Sequence, residues 1–152
     1  MTATNTKLYL DDLAVGASFR SPTYGVSEEE IKRFARDYDP QPFHLDDEAA
    51  KQTFFRGLAA SGWHTAAITM RLLVKGGLPL ADGIIGMGGE IAWLAPVRPG
   101  DVLRVTSTVA EIAPSQSKPD RAVVRFQCST VNQRDEVVQR IEPKLLVFKR
   151  PA

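Results

Sequence analysis

Apolar residues in the first half of the chain recur at helical spacing. Ser27, with Glu30 three residues later, forms the S-x-x-E pattern of a capping box and predicts a helix start. The apolar residues that follow predict one buried face of this helix: Ile31, Phe34, Ala35 and Tyr38. Pro40 predicts its end, because proline cannot continue a helix.

Two further helices are predicted before the middle of the chain. The first is short and runs from Asp46 or Asp47 through Lys51, with an aspartate as N-cap. The second, over 61–75, is apolar on nearly every side, which is typical of a buried helix. The Gly76-Gly77 pair predicts its C-terminal end.

The spacing changes after this helix, and four segments rich in Val, Ile, Thr and Phe predict strands. They are Ile84 to Trp93, Val102 to Ile112, Ala122 to Val131 and Glu136 to Phe148. Partial alternation in two of them favours an antiparallel sheet with one covered face. Predicted turns lie at Arg98–Asp101 and in a hairpin loop at Pro114–Asp120. This order indicates the α+β class, with a curved antiparallel sheet wrapped around a long central helix.

Composition limits the possible functions. The 152 residues fit one domain over 1–152, and we expect 1–6 to form a disordered tail. A net charge of +1 without long basic runs predicts neither nucleic-acid nor membrane partners. No segment reaches the ~18 apolar residues of a membrane span. The polar segment Met1–Thr6 lacks the apolar core of an export signal, so we expect a cytoplasmic protein.

Few residues could bind a metal or act as a thiol nucleophile. The single cysteine, Cys128, excludes a disulfide framework. Cys128 could be catalytic, but a small buried apolar residue in a strand is the interpretation we favour. A metal site would have to combine His44 or His64 with nearby carboxylates, and none has the spacing of a ligand set. We therefore expect neither a metal nor a cofactor.

The segment D-Y-D-P-Q-P-F-H, 37–44, carries the candidate chemistry. Asp39 and His44 are separated by a segment that Pro40 and Pro42 stiffen, which predicts a rigid loop rather than a helix. A carboxylate and an imidazole held together in this way can share a water molecule and transfer its proton. The alternative for His44 is an exposed loop residue or one bound to a carbonyl group, and the downstream Ser61-Gly62 helix start favours catalysis.

Three features together resemble the MaoC-like, or R-specific, enoyl-CoA hydratase family of the hot-dog fold. They are the Asp39–His44 motif, the glycine at the start of the buried helix, and the P-V-R-P-G-D turn at Pro96–Asp101. The resemblance extends roughly from Leu10 to Phe148. The motif D-P-Q-P-F-H is similar to the family's D-x-N-P-x-H, with Gln41 in place of asparagine.

The resemblance implies a hydratase/dehydratase of fatty acid metabolism that adds water reversibly to a 2-enoyl thioester, which we expect to be enoyl-CoA. The product would be an (R)-3-hydroxyacyl thioester. Asp39 and His44 would activate the water. The N–H of Gly62, at the positive end of the helix, would bind the thioester oxygen, although Gly62 could also be a plain helix-start glycine. The implied substrate-binding residues are Gln41, Phe43 and Ser61.

The resemblance also implies a homodimer or an assembly of dimers, with the acyl chain in a tunnel at the subunit junction. Pairing of subunits would cover an edge of the sheet. Four cations are candidate CoA phosphate contacts by charge alone, and we favour solvated surface positions for them: Arg56, Arg71, Lys75 and Arg98.

Other residues of possible interest have structural interpretations. We expect His64 to be packed and hydrogen-bonded, and Trp63 and Trp93 to lie in the core or an interface. The glycines of G-M-G-G-E, 86–90, superficially resemble a nucleotide loop, but in a strand they favour a bulge or a close backbone approach. Ser61 lies outside any G-x-S-x-G motif, which argues against a serine hydrolase.

Two alternative functions stay open. A hot-dog acyl-CoA thioesterase would direct a carboxylate and a water at the thioester carbonyl, at the same helix start. A noncatalytic acyl-CoA-binding subunit would keep the fold without turnover. The retained Asp39 and His44 favour hydration over both.

Overall fold

A six-stranded antiparallel sheet with a helix against it forms the fold in the computed structural model, which describes residues 6–152. The expected tail, 1–6, lies outside the described residues except for Thr6. The strands are β1 (Ser18–Arg20), β2 (Tyr24–Gly25), β3 (Gly86–Trp93), β4 (Val102–Pro114), β5 (Arg121–Val131) and β6 (Val137–Phe148). The helices are α1 (Glu28–Tyr38), α2 (Pro42–Leu45), α3 (Asp47–Ala50) and α4 (Gly62–Leu72). The predicted α+β class is confirmed.

Helix α1 begins and ends where the sequence predicts. The Ser27 hydroxyl accepts a 3.1 Å hydrogen bond from the Glu30 N–H. The Glu30 carboxylate accepts instead from the Tyr24 hydroxyl, at 2.7 Å, and so helps to hold the short β2 beside the helix. Ile31 is buried as predicted, but Tyr38 is 74% exposed because the last turn of α1 extends beyond the core. That part of the predicted apolar face is wrong.

Of the two short helices, α3 was predicted from the sequence and α2 was not. Helix α3 is capped by Asp46, whose carboxylate accepts from two backbone N–H groups of the first turn. Helix α2 was not predicted. It is a single turn with Pro42 at its start, a position where the missing N–H of proline costs no hydrogen bond.

Helix α4 packs one face against the sheet. The buried residues are His64, Thr65, Ile68, Thr69 and Leu72. The prediction that the helix would be buried on all sides is wrong for this chain, since Trp63, Met70 and Val74 are exposed. The sheet covers only one side of α4. A π-helical turn, Leu73–Gly77, follows, and Gly76 ends it with a φ of 146°.

The sheet has the strand order β1-β4-β5-β6-β3, with β2 paired to β4. Alternate residues of β4 and β5 are buried, which confirms the predicted covered face. Cys128 lies in this core, and burial raises the pKa of its thiol to about 11. The interpretation of Cys128 as a buried small residue is therefore confirmed. Within residues 6–152, no helix is long and apolar enough to cross a bilayer.

The glycines of β3 permit close packing between strands. The register of β3 against β6 shifts between Gly86 and Gly88. A Cβ atom on Gly89 would lie 2.5 Å from the Glu142 carbonyl oxygen. Real Cβ atoms do not approach so closely, so this strand pairing requires glycine. The expected close backbone approach is confirmed, and the register shift is consistent with the expected bulge.

Candidate active site

Asp39 and His44 meet at the junction of α1 and α2. Asp39 is the C-cap of α1, and His44 lies within α2 rather than in the rigid loop predicted. The correction follows from Pro42, which disfavours helix before itself but is well suited to begin one. The distance from His44 Nε2 to Asp39 Oδ2 is 3.2 Å. The two side chains therefore lie within reach of one water molecule.

A backbone carbonyl fixes the orientation of His44. The His44 Nδ1 atom lies 2.6 Å from the Ala59 carbonyl oxygen, which can only accept, so Nδ1 carries a proton. Nε2 is then the ring atom that faces Asp39. The imidazole is buried, with the rings of Phe43 and Phe55 packed around it at centroid distances of 4.5 and 6.0 Å.

Two hydrogen bonds hold the Asp39 carboxylate. The Ser61 hydroxyl donates to Oδ2 at 2.7 Å, and the Gln41 amide donates to Oδ1 at 2.5 Å. Burial acts to raise the pKa of Asp39, but the bonds from Ser61 and Gln41 and the charge of His44 outweigh it. The pKa of Asp39 is therefore below its ordinary value. The group is an anion at neutral pH, fixed in position.

Gly62 is the first residue of α4, directly after its cap. The Ser61 hydroxyl accepts a 3.2 Å hydrogen bond from the Trp63 N–H, which satisfies one of the free donors of the first turn. Within the part of the chain that the structure describes, the Gly62 N–H has no hydrogen-bond partner. Since Ser61 also binds Asp39, this end of α4 lies next to the carboxylate.

A cleft of about 370 Å³ brings the polar groups to an apolar surface. His44 and Gly62 both line it, together with Phe55, Thr65, Trp93 and Leu94. A wider depression of about 610 Å³ lies at the C-terminal end, beside Asp120 and Arg150. None of the residues that line this depression is a histidine, so it holds no carboxylate–imidazole pair, and we place the candidate site in the smaller cleft.

The residues predicted to bind substrate lie around the acid/base pair. Gln41 and Ser61 hold Asp39, and Phe43 packs on His44. Their direct contact with a substrate stays a prediction. The role of Ser61 as a ligand of Asp39 was missed. A serine before a helix signals only a cap, and a partner 22 residues away leaves no local pattern.

Arg98 is not the solvated surface group expected. Its guanidinium donates to three carbonyl groups of the segment between α3 and α4, those of Phe55, Gly57 and Leu58. The Leu58 N–H is bound in turn by the Asp47 carboxylate, at 3.0 Å. Arg98 thus fastens the segment that ends at Ala59, whose carbonyl orients His44.

Two aromatic predictions also need correction. His64 is buried and stacked on Phe34 with ring centroids 4.7 Å apart, but its Nδ1 has no hydrogen-bond partner among residues 6–152. Burial lowers the pKa of His64, so the ring is neutral and needs no counter-charge. Trp93 does not lie in the core, since it is 44% exposed and lines the cleft, and the predicted interface position stays a prediction.

Comparisons with known proteins agree with this architecture. The family model described as MaoC like domain matches residues 12–132. The crystal structure of a MaoC-like dehydratase from Rhodospirillum rubrum superposes with a TM-score of 0.94 at 61% identity, covering 95% of this chain and 99% of that one.

Two curated relatives extend the comparison. The uncharacterized protein YdeM of Bacillus subtilis is 33% identical over 91% of this chain and 97% of its own length. A 3-hydroxybutyryl-CoA dehydratase of Methylorubrum extorquens is 32% identical over 94% of this chain and 86% of its own length. Both matches span nearly the whole chain, so they include the candidate site.

Proposed function

The chain belongs to the MaoC-like domain family, and we propose on this premise that it adds water reversibly to a 2-enoyl thioester. The carrier we propose is CoA, and the product is an (R)-3-hydroxyacyl thioester. The observation that carries the proposal is the 3.2 Å approach of His44 Nε2 to Asp39 Oδ2 beside the start of α4. The dehydratase relative of M. extorquens supports the same reaction class.

The acid/base pair would deliver both parts of one water molecule. Asp39 and His44 Nε2 bind the water, which attacks the β-carbon while its proton passes to the pair. The pair then protonates the α-carbon on the same face. One C–O bond and one C–H bond form, the C=C bond becomes single, and the pair regains its starting protonation state. Such positioned groups contribute about 10²–10⁴-fold to rate.

The start of α4 would stabilise the charge that develops on the thioester oxygen. As water adds, the carbonyl oxygen takes on enolate character and needs a hydrogen-bond donor. The Gly62 N–H, which has no partner among the described residues, is such a donor, and the helix dipole favours negative charge there. One donor of this kind is worth about 3 kcal/mol in other enzymes.

We also propose that two chains pair through their sheets. Among residues 6–152, β3 pairs with β6 alone, so it forms an edge of the sheet. Exposed apolar side chains occur on β3 and on α4, including Met87, Trp63 and Met70. A second copy of the chain could cover both features. Light scattering after size-exclusion chromatography should give twice the chain mass or a multiple of it, and a monomer at micromolar concentration would contradict the pairing.

A hydration assay with crotonyl-CoA tests the proposed reaction. The loss of the enoyl absorbance measures the rate, and chiral analysis identifies the product. We expect Asp39→Asn and His44→Ala to lower kcat/KM at least about 100-fold. Asp37→Asn is the matched control, because this exposed aspartate lies two residues away. Release of free CoA without hydration would indicate a thioesterase, and turnover that both variants retain would overturn the assignment of the pair.

A further inference from the structure

The indole of Trp93 lies directly on Gly62. Trp93 ends β3, and its ring occupies the space above the first residue of α4. A Cβ atom on Gly62 would lie 2.5 Å from Cε2 of the indole, closer than real Cβ atoms come to other atoms. Only glycine therefore fits beneath the ring. The indole thus forms a wall of the cleft next to the proposed oxyanion donor.

A buried chain of hydrogen bonds holds the indole in place. The Trp93 Nε1–H donates to Gln139 Oε1 at 3.0 Å, and Gln139 is fully buried. The Gln139 amide donates in turn to the Thr69 hydroxyl at 3.0 Å, and this hydroxyl lies 2.7 Å from that of Thr130. Rotation of the indole would leave the Gln139 carbonyl unpaired in the core, which is costly.

A second indole packs against the first. The rings of Trp63 and Trp93 are nearly perpendicular, with centroids 5.1 Å apart. The Trp93 indole is thus fixed by three contacts: packing on Gly62, a hydrogen bond to Gln139 and packing against Trp63. A wall held in this way cannot easily withdraw to make room for a larger ligand.

We propose that Trp93 limits the site to thioesters with short acyl chains. This inference rests on the proposed function, because a thioester oxygen at Gly62 and a β-carbon at the Asp39–His44 pair fix where the acyl chain begins. The chain beyond the β-carbon then extends along the cleft that Trp93 bounds. At about 370 Å³ this cleft is near the lower end of the range for ligand sites.

Two pairs of ligands test the wall. Hydration is measured with crotonyl-CoA and with the longer octenoyl-CoA, and calorimetric affinity with the saturated butanoyl-CoA and octanoyl-CoA, which cannot be hydrated. The wild type should prefer the shorter member of each pair at least about tenfold, since steric selection by a pocket reaches this size. Trp93→Ala should raise the long-to-short ratio at least about tenfold in both measurements. Trp93→Leu should raise it less and serves as a second variant if Trp93→Ala does not fold.

Val74→Ala is the control, because it shortens an apolar side chain that is 55% exposed and is not part of the cleft lining. It should change the ratio less than about threefold. Three results would contradict the proposed role of Trp93. They are equal wild-type affinity for the two saturated ligands, binding of neither ligand, and an unchanged long-to-short ratio in both Trp93 variants. If the Trp93 variants change the affinity ratio but no substrate is hydrated, the role of Trp93 is supported and the proposed reaction is refuted. If the protein hydrates crotonyl-CoA but neither Trp93 variant changes the ratio, the proposed reaction is supported and the role of Trp93 is refuted.

Discussion

The Ser61 hydroxyl donates a 2.7 Å hydrogen bond to Asp39 Oδ2, so the residue that caps α4 also holds the carboxylate of the proposed acid/base pair. The same hydroxyl accepts from the Trp63 N–H at 3.2 Å. One side chain therefore connects the helix start, where an oxyanion would bind, with the base. The relative position of these two groups depends on it.

Removal of the Ser61 hydroxyl should raise the pKa of Asp39. Burial acts to raise this pKa, and in the native protein the bonds from Ser61 and Gln41 and the charge of His44 overcome it. In Ser61→Ala the strongest opposing contribution is lost. Carbon NMR of the aspartate carboxyl groups during a pH titration measures the change, and kcat/KM should fall at least about tenfold with it.

The pH dependence of the free energy of unfolding gives a second measure of the Asp39 pKa. Because the folded pKa of Asp39 lies below its unfolded value of about 3.9, the group stabilises the native state above that pH. This contribution is lost as pH falls through the folded pKa, and Ser61→Ala should reduce it. Gln41→Ala should act in the same direction. An unchanged Asp39 titration in both variants would show that these bonds do not control the carboxylate.

Gly62→Ala should lower stability and activity because the added methyl group meets the Trp93 indole, and removal of the indole should relieve both losses. The added methyl group would overlap the ring, and overpacking of this kind typically costs about 1–3 kcal/mol. Alanine keeps the backbone N–H, so an oxyanion donor survives the substitution. We therefore expect Gly62→Ala to lose stability and activity, and Trp93→Ala to make the same change much milder.

A double-mutant cycle on urea unfolding measures the coupling between Gly62 and Trp93. A coupling energy of about 1 kcal/mol or more is expected for groups in direct contact. The hydration rate of the double variant should exceed that of Gly62→Ala at least about tenfold on crotonyl-CoA. Additive losses of stability would show that the contact is not the reason for glycine at this position.

Local sequence patterns were sufficient for most of the fold. Capping residues and helical spacing located α1, α3 and α4, and runs of β-branched residues located the four long strands. The strands β1 and β2 have three and two residues, too few to show a period, and they exist because β4 offers them a partner. Exposure of Tyr38 likewise depends on where the core ends.

The candidate site was predictable only in its local part. Asp39 and His44 are close in sequence, and the prolines between them restrict the connecting chain. The groups that orient them are distant: the Ala59 carbonyl lies 15 residues from His44, and the Ser61 hydroxyl 22 from Asp39. The three carbonyl groups bound by Arg98 lie 40, 41 and 43 residues away from it in sequence. Charge alone could not distinguish such an arginine from a phosphate ligand.

Substitution of Arg98 should loosen the segment that orients His44. Arg98→Met removes all the hydrogen bonds to the carbonyls of Phe55, Gly57 and Leu58, and Arg98→Lys cannot reproduce the planar fork. We expect a loss of about 2 kcal/mol in unfolding free energy and faster amide hydrogen exchange over 53–60. The value of kcat should fall about tenfold as His44 loses its fixed orientation.

A truncated substrate distinguishes this role from a CoA phosphate contact. A pantetheine thioester lacks the nucleotide phosphates of CoA. If Arg98 fastens the segment, both Arg98 variants lose activity equally on the CoA and pantetheine thioesters. A loss confined to the CoA thioester, and seen in KM, would instead identify Arg98 as a phosphate ligand. Arg71→Met is the matched control, since this exposed arginine contacts the Tyr24 ring and no part of the segment.

His64 should make the protein less stable in mild acid. Burial lowers its pKa, and Glu30 and Arg33 act on it in opposite directions. As the pH falls through about 6.5, the unfolded chain binds a proton at His64 that the folded chain does not yet bind. The free energy of unfolding therefore decreases below that pH until the folded pKa of His64 is reached. One such group contributes a slope of at most about 1.4 kcal/mol per pH unit.

Replacement of His64 by phenylalanine tests this prediction. A phenyl ring can keep the stack on Phe34 and removes the unpaired Nδ1. Urea unfolding at several values between pH 5 and pH 8 should show a flatter profile for His64→Phe than for the wild type. All other ionisable groups are the same in both proteins, so the difference between the two profiles reports on His64. Parallel profiles would mean that His64 accepts its proton as readily in the folded chain as in the unfolded one.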